Sequence, residues 1–123
     1  MINNYTNKFM SAKGCYSIDL LMNEHYVFNN NLDRDHVSRL METNQHFKWL
    51  DDNKNWFTYF TNRNRLLNII IKMLNLSDKL NLNEIKNNTK RYYRLEKIDF
   101  PAKVILNFCL HFFDVKIDNH LIH

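Results

Sequence analysis

One glycine, Gly14, and one proline, Pro101, are all that this chain of 123 residues contains. A loop that cradles phosphate with backbone N–H groups needs several closely spaced glycines, so that kind of nucleotide site is excluded. No apolar run approaches the roughly 18 residues of a membrane span. The N-terminus lacks a charged-then-apolar leader pattern, so the chain is expected to work in the cytoplasm or on the nucleoid, away from membranes. Cysteine is nearly as scarce. Cys15 and Cys109 are the only two, and buried free thiols in a reducing compartment are favoured over a disulfide. Cys109-x-His111 with His120 and His123 offers no CxxC or HxxxH pair, so chance clustering is favoured over a zinc site. Asp51-Asp52 falls in an expected turn, where solvated carboxylates are ordinary. No Ser/His/Asp arrangement stands out. A hydrolase would need convergent polar residues that are missing, so the chain is read as non-enzymatic and without a cofactor.

What fills the gap is asparagine, 20 residues of it. The longest run is only Asn29–Asn31, so codon bias explains the excess better than a prion-like tract. Asparagine tolerates left-handed backbone angles and is expected to do the turn work usually given to glycine. A hydrophobic content of 45% with 14% aromatics excludes wholesale disorder. At this size about two thirds of the unfolded surface can be buried, enough for a core. The net charge of +4 is uneven: residues 1–60 hold 6 Lys/Arg and 7 Asp/Glu, whereas residues 61–123 hold 11 and 6. A polyanion is therefore drawn chiefly to the second half.

Apolar spacing and capping residues place the elements. Residues 5–12 read as a short helix ended by Gly14, and Ser17 caps a helix running to about His25. Asp33 caps a helix to about Thr43, with Val37, Leu40 and Met41 on one face. An aromatic hairpin follows over about 46–51 and 55–60, with Phe47, Trp49, Phe57 and Tyr59 on a common pattern. Asn64 opens the helix Arg65–Leu76, apolar on nearly every side and so expected to be covered from several directions. A short strand at Leu80-x-Leu82, a helix from Asn83 to about Arg94, and a helix from Pro101 to about Phe112 come next. Val115–Ile122 alternates across Asp118-Asn119 as a terminal hairpin.

Helix, helix, hairpin thus occurs twice. At an offset of 68 residues Leu32 falls on Phe100, Val37 on Ile105, Leu40 on Phe108, Phe47 on Val115 and Trp49 on Ile117. Asn55-Trp56-Phe57, Asn64-Arg65-Leu66-Leu67-Asn68 with Lys72, then Arg91, Arg94 and Pro101, resemble bacterial tandem winged-helix modules of sigma-factor-like and related DNA-binding regulators. The resemblance spans about residues 15–122. It implies an α+β fold of tandem winged helix-turn-helix units, residues 1–61 and 62–123, sharing the central helix Arg65–Leu76. In such modules the helix before each wing lies in the major groove and the wing touches the backbone. They often form the C-terminal part of longer chains, so the chain is read as a stand-alone unit or a fragment.

The candidate nucleic-acid contacts follow from charge. On the helix from Asn83, Ile85, Thr89 and Tyr92 share one stripe, and Lys86, Lys90, Arg94 and Lys97 share a neighbouring arc, with Arg91 further round. Such an arc either tracks phosphates, with Tyr93 beside it, or is an ordinary solvated face. On Pro101–Phe112 only Lys103, Asn107 and His111 break the apolar surface. Asn107 suits adenine and Lys103 guanine or phosphate, although a strip this narrow is more often the edge of a core helix. On Asp33–Thr43, Arg34 and Arg39 face acids that weaken their pull on phosphate, while Lys48 and Lys54 of the hairpin reach a backbone. Trp49, Trp56, Phe57 and Tyr59 suit either stacking on single-stranded bases or, as favoured here, core packing. Duplex DNA is the expected partner, and protein docking within a larger complex is the alternative.

Overall fold

The computed structural model describes residues 2–24, 27, 30–77, 79–91 and 98–123. Helix α1 (Ile2–Lys13), strand β1 (Tyr16–Ser17), helices α2 (Ile18–Met22) and α3 (Arg34–Glu42), and strands β2 (Lys48–Trp49) and β3 (Trp56–Thr58) form the first half. The second half repeats that order with α4 (Arg65–Leu76), β4 (Leu80–Asn81), α5 (Leu82–Thr89), α6 (Ala102–Phe112), β5 (Ile117–Asp118) and β6 (Leu121–Ile122). Each half closes a small antiparallel sheet with its last strand in the middle, in the orders β1-β3-β2 and β4-β6-β5. The fold is mixed α+β.

Local chemistry sets these boundaries. Ser17 Oγ accepts from Leu20 N at 3.0 Å, Asp33 Oδ1 from His36 N at 2.7 Å and Asn64 Oδ1 from Leu67 N at 3.0 Å, each satisfying a donor the helix cannot. Asn81 does the same for α5, accepting from Asn83 N at 2.8 Å. Pro101 precedes α6, and its carbonyl takes the N–H groups of Val104 and Ile105. Asparagine also does turn work. Asn31 and Asn119 hold positive φ angles, joined by His46, Lys54 and the glycine Gly14.

The repeat extends to single hydrogen bonds. Ile18 N donates to Asn55 O and Leu82 N donates to His120 O, both at 2.8 Å, each tying the start of a second helix to the end of a hairpin. Val37 and Ile105 are both buried, as are Met41 and Cys109, in keeping with the 68-residue offset. That offset holds for α3 with α6 and for β2 with β5, where Trp49 pairs with Phe57 as Ile117 pairs with Ile122, and for no other pair of elements. Tyr16 pairs with Phe57 as Leu80 pairs with Ile122, at spacings of 64 and 65 residues, because the loops between corresponding elements differ in length.

Three expectations change. Strands β1 and β4 each bring a third strand to a hairpin, and β1 left no trace in the pattern because two residues cannot show a period. Helix α5 ends at Thr89, with Lys90 as its cap; the expected continuation over 92–97 lies outside the described residues. Helix α4 is covered on one side only. Leu66, Ile69 and Ile70 are buried, whereas Ile71 is 38% and Leu76 88% exposed. At about 100° per residue Ile71 falls off the stripe through Leu66, Ile70 and Met73, and Leu76 ends the helix.

The element shared between the halves is β3. Its alternation sends Phe57 and Tyr59 into a core with Met10, Tyr16, Ile18, Leu21, Val37 and Met41. Trp56, 9% exposed, points the other way, into a second core with Cys15, Leu50, Leu66, Ile70, Phe100 and Phe108. Its ring meets that of Phe100 at 5.8 Å, edge to face.

Candidate nucleic-acid interface

Helix α3 and the first hairpin, β2–β3, face each other across an open concavity of about 500 Å³. Arg34, Arg39 and Lys54 supply its cations, Asp35 and Glu42 its anions, and the Trp49 ring its apolar wall. The guanidinium of Arg34 pairs with Asp19 and donates to Asn55 Oδ1 at 3.2 Å, so this arginine also ties α3 to α2 and the hairpin. Arg39 is exposed and bonds only weakly back to its own helix, at Asp35 O, 3.3 Å away. Trp49 Nε1 donates to Glu42 Oε2 at 3.3 Å. Lys54 sits at the hairpin tip with a φ of 53°.

On its other side the hairpin meets α6. A second concavity, of about 420 Å³, lies between them, with Lys48, Trp49, Asp51, Asp52, Asn107 and His111 in its lining. Asn107 Nδ2 donates to the Leu50 carbonyl at 2.8 Å, and Lys103 Nζ pairs with Asp52 Oδ2 at 2.6 Å. The Lys103 ammonium holds the Asp52 carboxyl below its usual range. Asp51 is engaged too: its carboxylate accepts from Asn55 N and Trp56 N and closes the hairpin. Asn107 and Lys103, for which base contact is the less favoured of two readings, are thus turned onto the first hairpin. Sequence spacing carries no sign of this, because the acceptor is a backbone carbonyl 57 residues away.

His111 shares the lining of this second concavity with Lys48. Burial, then the charges of Lys48 and His46, hold it below its ordinary value of 6.5. The folded state therefore favours neutral imidazole and the unfolded state binds the extra proton. Stability is lost as pH falls from 6.5 towards the lower folded value. His111→Gln should flatten that decline in denaturant titrations run from neutral to mildly acidic pH. An unchanged slope would discard His111 as its source.

The basic arc of the second half is only partly described. Ile85 and Thr89 are buried as their stripe requires. Lys86 pairs with Asp99 at 3.6 Å, and Lys90 and Arg91 are exposed beyond it. Arg94 and Lys97, with Tyr92 and Tyr93, lie outside the described residues. Among the described cations of 86–103, Lys86 and Lys103 are drawn to different carboxylates, which divides the arc.

The aromatic hairpin packs more than it displays. Phe47, Trp49 and Phe57 meet at 4.9 to 6.1 Å, and Phe57 stacks on Tyr59 at 6.3 Å. Phe57 and Tyr59 are buried, which leaves them no face for a base. Both cysteines are free and buried; desolvation raises both thiols, that of Cys109 to about 12. Cys109 lies in the core and His111 faces outward. Among the described residues no three His, Cys, Asp or Glu side chains gather as ligands for a metal, and no helix is long and apolar enough to cross a membrane. No family model, curated protein or solved structure matches the chain.

Proposed function

We propose that this chain is a non-enzymatic, tandem winged helix-turn-helix module that binds duplex DNA in a transcription-related role. One observation carries the reading. The order helix, strand, helix, helix, strand, strand occurs twice, with the last strand central in each sheet, so that α3 and α6 each directly precede a hairpin. A helix in that position suits the major groove, which is about 12 Å wide and admits one helix. Arg39, Ser38 and Arg34 on α3 are the base-facing candidates, and Lys48 and Lys54 on the hairpin supply phosphate contacts. Lys86, Lys90 and Arg91 add attraction from the second half. Arg34 can exchange its partly exposed ion pair for phosphate cheaply, since such pairs are worth about 0–1 kcal/mol.

Binding should be strongly salt dependent, because each neutralised phosphate releases counterions. The double variant Arg39→Ala/Lys54→Gly should weaken binding to a mixed-sequence duplex roughly tenfold to a hundredfold at low salt. It should also lower the salt slope by about two. Lys54→Gly is chosen because a left-handed φ suits glycine, so the fold is spared while the charge is removed. Unchanged affinity and slope, measured by fluorescence anisotropy, would reject the assignment.

A second reading, a protein-docking scaffold, draws on exposed apolar side chains, Phe60 at the base of the first hairpin among them. Leu76, Ile71, Leu110 and Phe60 stand out of the surface. Retention of a protein partner after nuclease treatment in high salt, with no duplex binding, would favour it.

A further inference from the structure

We infer that Asn107 and Lys103 are positioning residues, which clamp the first hairpin so that it and α3 meet one duplex at a fixed spacing. This rests on the DNA reading, but it has its own physical content. The sequence offers Asn107 as a base reader, yet its amide is bonded to the carbonyl of Leu50, at the end of β2. Lys103, one helical turn earlier, holds Asp52 two residues further along the hairpin loop. Beneath them Trp56 of β3 packs on Phe100, just before α6. A neutral hydrogen bond and an ion pair therefore fasten the loop from α6, and a ring contact fastens the strand after the loop to the residue that leads into α6.

The opposite side of the hairpin explains why this matters. Asn55, at the end of the same loop, accepts from Arg34 of α3 and from the backbone N–H of Asp19. The loop 50–55 is thus gripped by α6 on one flank and by α3 and α2 on the other. A hairpin gripped on both flanks keeps less freedom than one gripped on one. Here it is a strut between two helices. Lys48, on β2, and Lys54, in the loop, are held at set distances from Arg39. A phosphate contact made by a fixed cation loses less freedom on binding than one made by a mobile loop. The second unit's own helix before its hairpin is thereby committed to support, and base reading falls to α3.

Two variants and two readouts test this in the full chain. Asn107→Ala is neutral in charge. Asp52→Asn/Asn107→Ala frees both polar clamps and raises the net charge by one. Electrostatic attraction alone makes the double variant bind a mixed-sequence duplex more tightly; the clamp makes it bind more weakly, by roughly five- to tenfold. Hydrogen exchange read on the amides of Leu50, Asn55 and Trp56 should quicken about fivefold or more in both variants, with α1 unchanged. Unaltered exchange in the hairpin overturns the clamp whatever the DNA result. Faster exchange with tighter or equal binding overturns its role in positioning. If the wild-type chain fails to bind duplex at low salt while the hairpin loosens as expected, the DNA reading falls and the clamp remains as a device of the fold.

Discussion

Gly14→Ala should destabilise the chain by roughly 2–5 kcal/mol, a large fraction of the roughly 5–15 kcal/mol that keeps a domain folded. Two terms add. Gly14 ends α1 with a φ of +82°, in the region that L side chains rarely adopt, which costs about 1–2 kcal/mol. Its missing Cβ also marks a contact, because an added methyl would lie 2.4 Å from Leu66 Cβ and 2.6 Å from Asn64 Oδ1. Neither neighbour can swing clear. Leu66 Cβ is fixed to its backbone, and Asn64 Oδ1 is bonded to Leu67 N as the cap of α4. Overpacking of this kind costs about 1–3 kcal/mol. Asn119→Ala serves as the comparison, since Asn119 has a φ of 56° but is exposed, and should show the strain without the clash. Urea titration should place Gly14→Ala well below Asn119→Ala in midpoint. Equal losses would mean that α1 and α4 part freely and that their contact is not tight.

Trp56→Ala should cost about 3–5 kcal/mol, as expected for a buried tryptophan. The more telling outcome is its reach. Trp56 belongs to the core of the second half although its strand belongs to the first, and its neighbour Phe57 fills the core of the first. Moving β3 to close the cavity under Trp56 displaces Phe57 as well. A single cooperative transition is expected, lowered by similar amounts in Trp56→Ala and Phe57→Ala and seen alike by probes in each half. Two separated transitions in either variant would show that the cores melt apart. Ile70→Asp, which puts an unpaired carboxylate in the second core, should abolish folding of the same single unit.

Much of this arrangement was legible in the chain. The caps Ser17, Asp33 and Asn64 carry out the bonds their types suggested, because a short side-chain oxygen just before an apolar-periodic run has little else to do. The face of α3 made by Val37 and Met41, the two hairpins and the left-handed Asn119 follow from period and turn chemistry. The shared element did not. Arg65–Leu76 looked covered on all sides because composition alone cannot separate Ile70, which is buried, from Ile71, which is not. The true junction, β3, spans three residues, too short for burial on both faces to be read as anything but a good strand.

The candidate interface divides along the same line. By itself the sequence determined which residues carry positive charge, that helices precede both hairpins, and that no glycine loop or metal motif competes with them. Those are local properties, set by residue type and spacing. Only tertiary structure decided what each polar group is free to do. On the pattern of α6 alone Asn107 and Lys103 suit either base contact or the edge of a core helix, and the folding of α6 against a loop some 50 residues earlier gave them a carbonyl and a carboxylate to hold. Hydrogen-bond partners so distant in sequence follow from how two cores pack about one strand, and no pattern within a single helix records that packing.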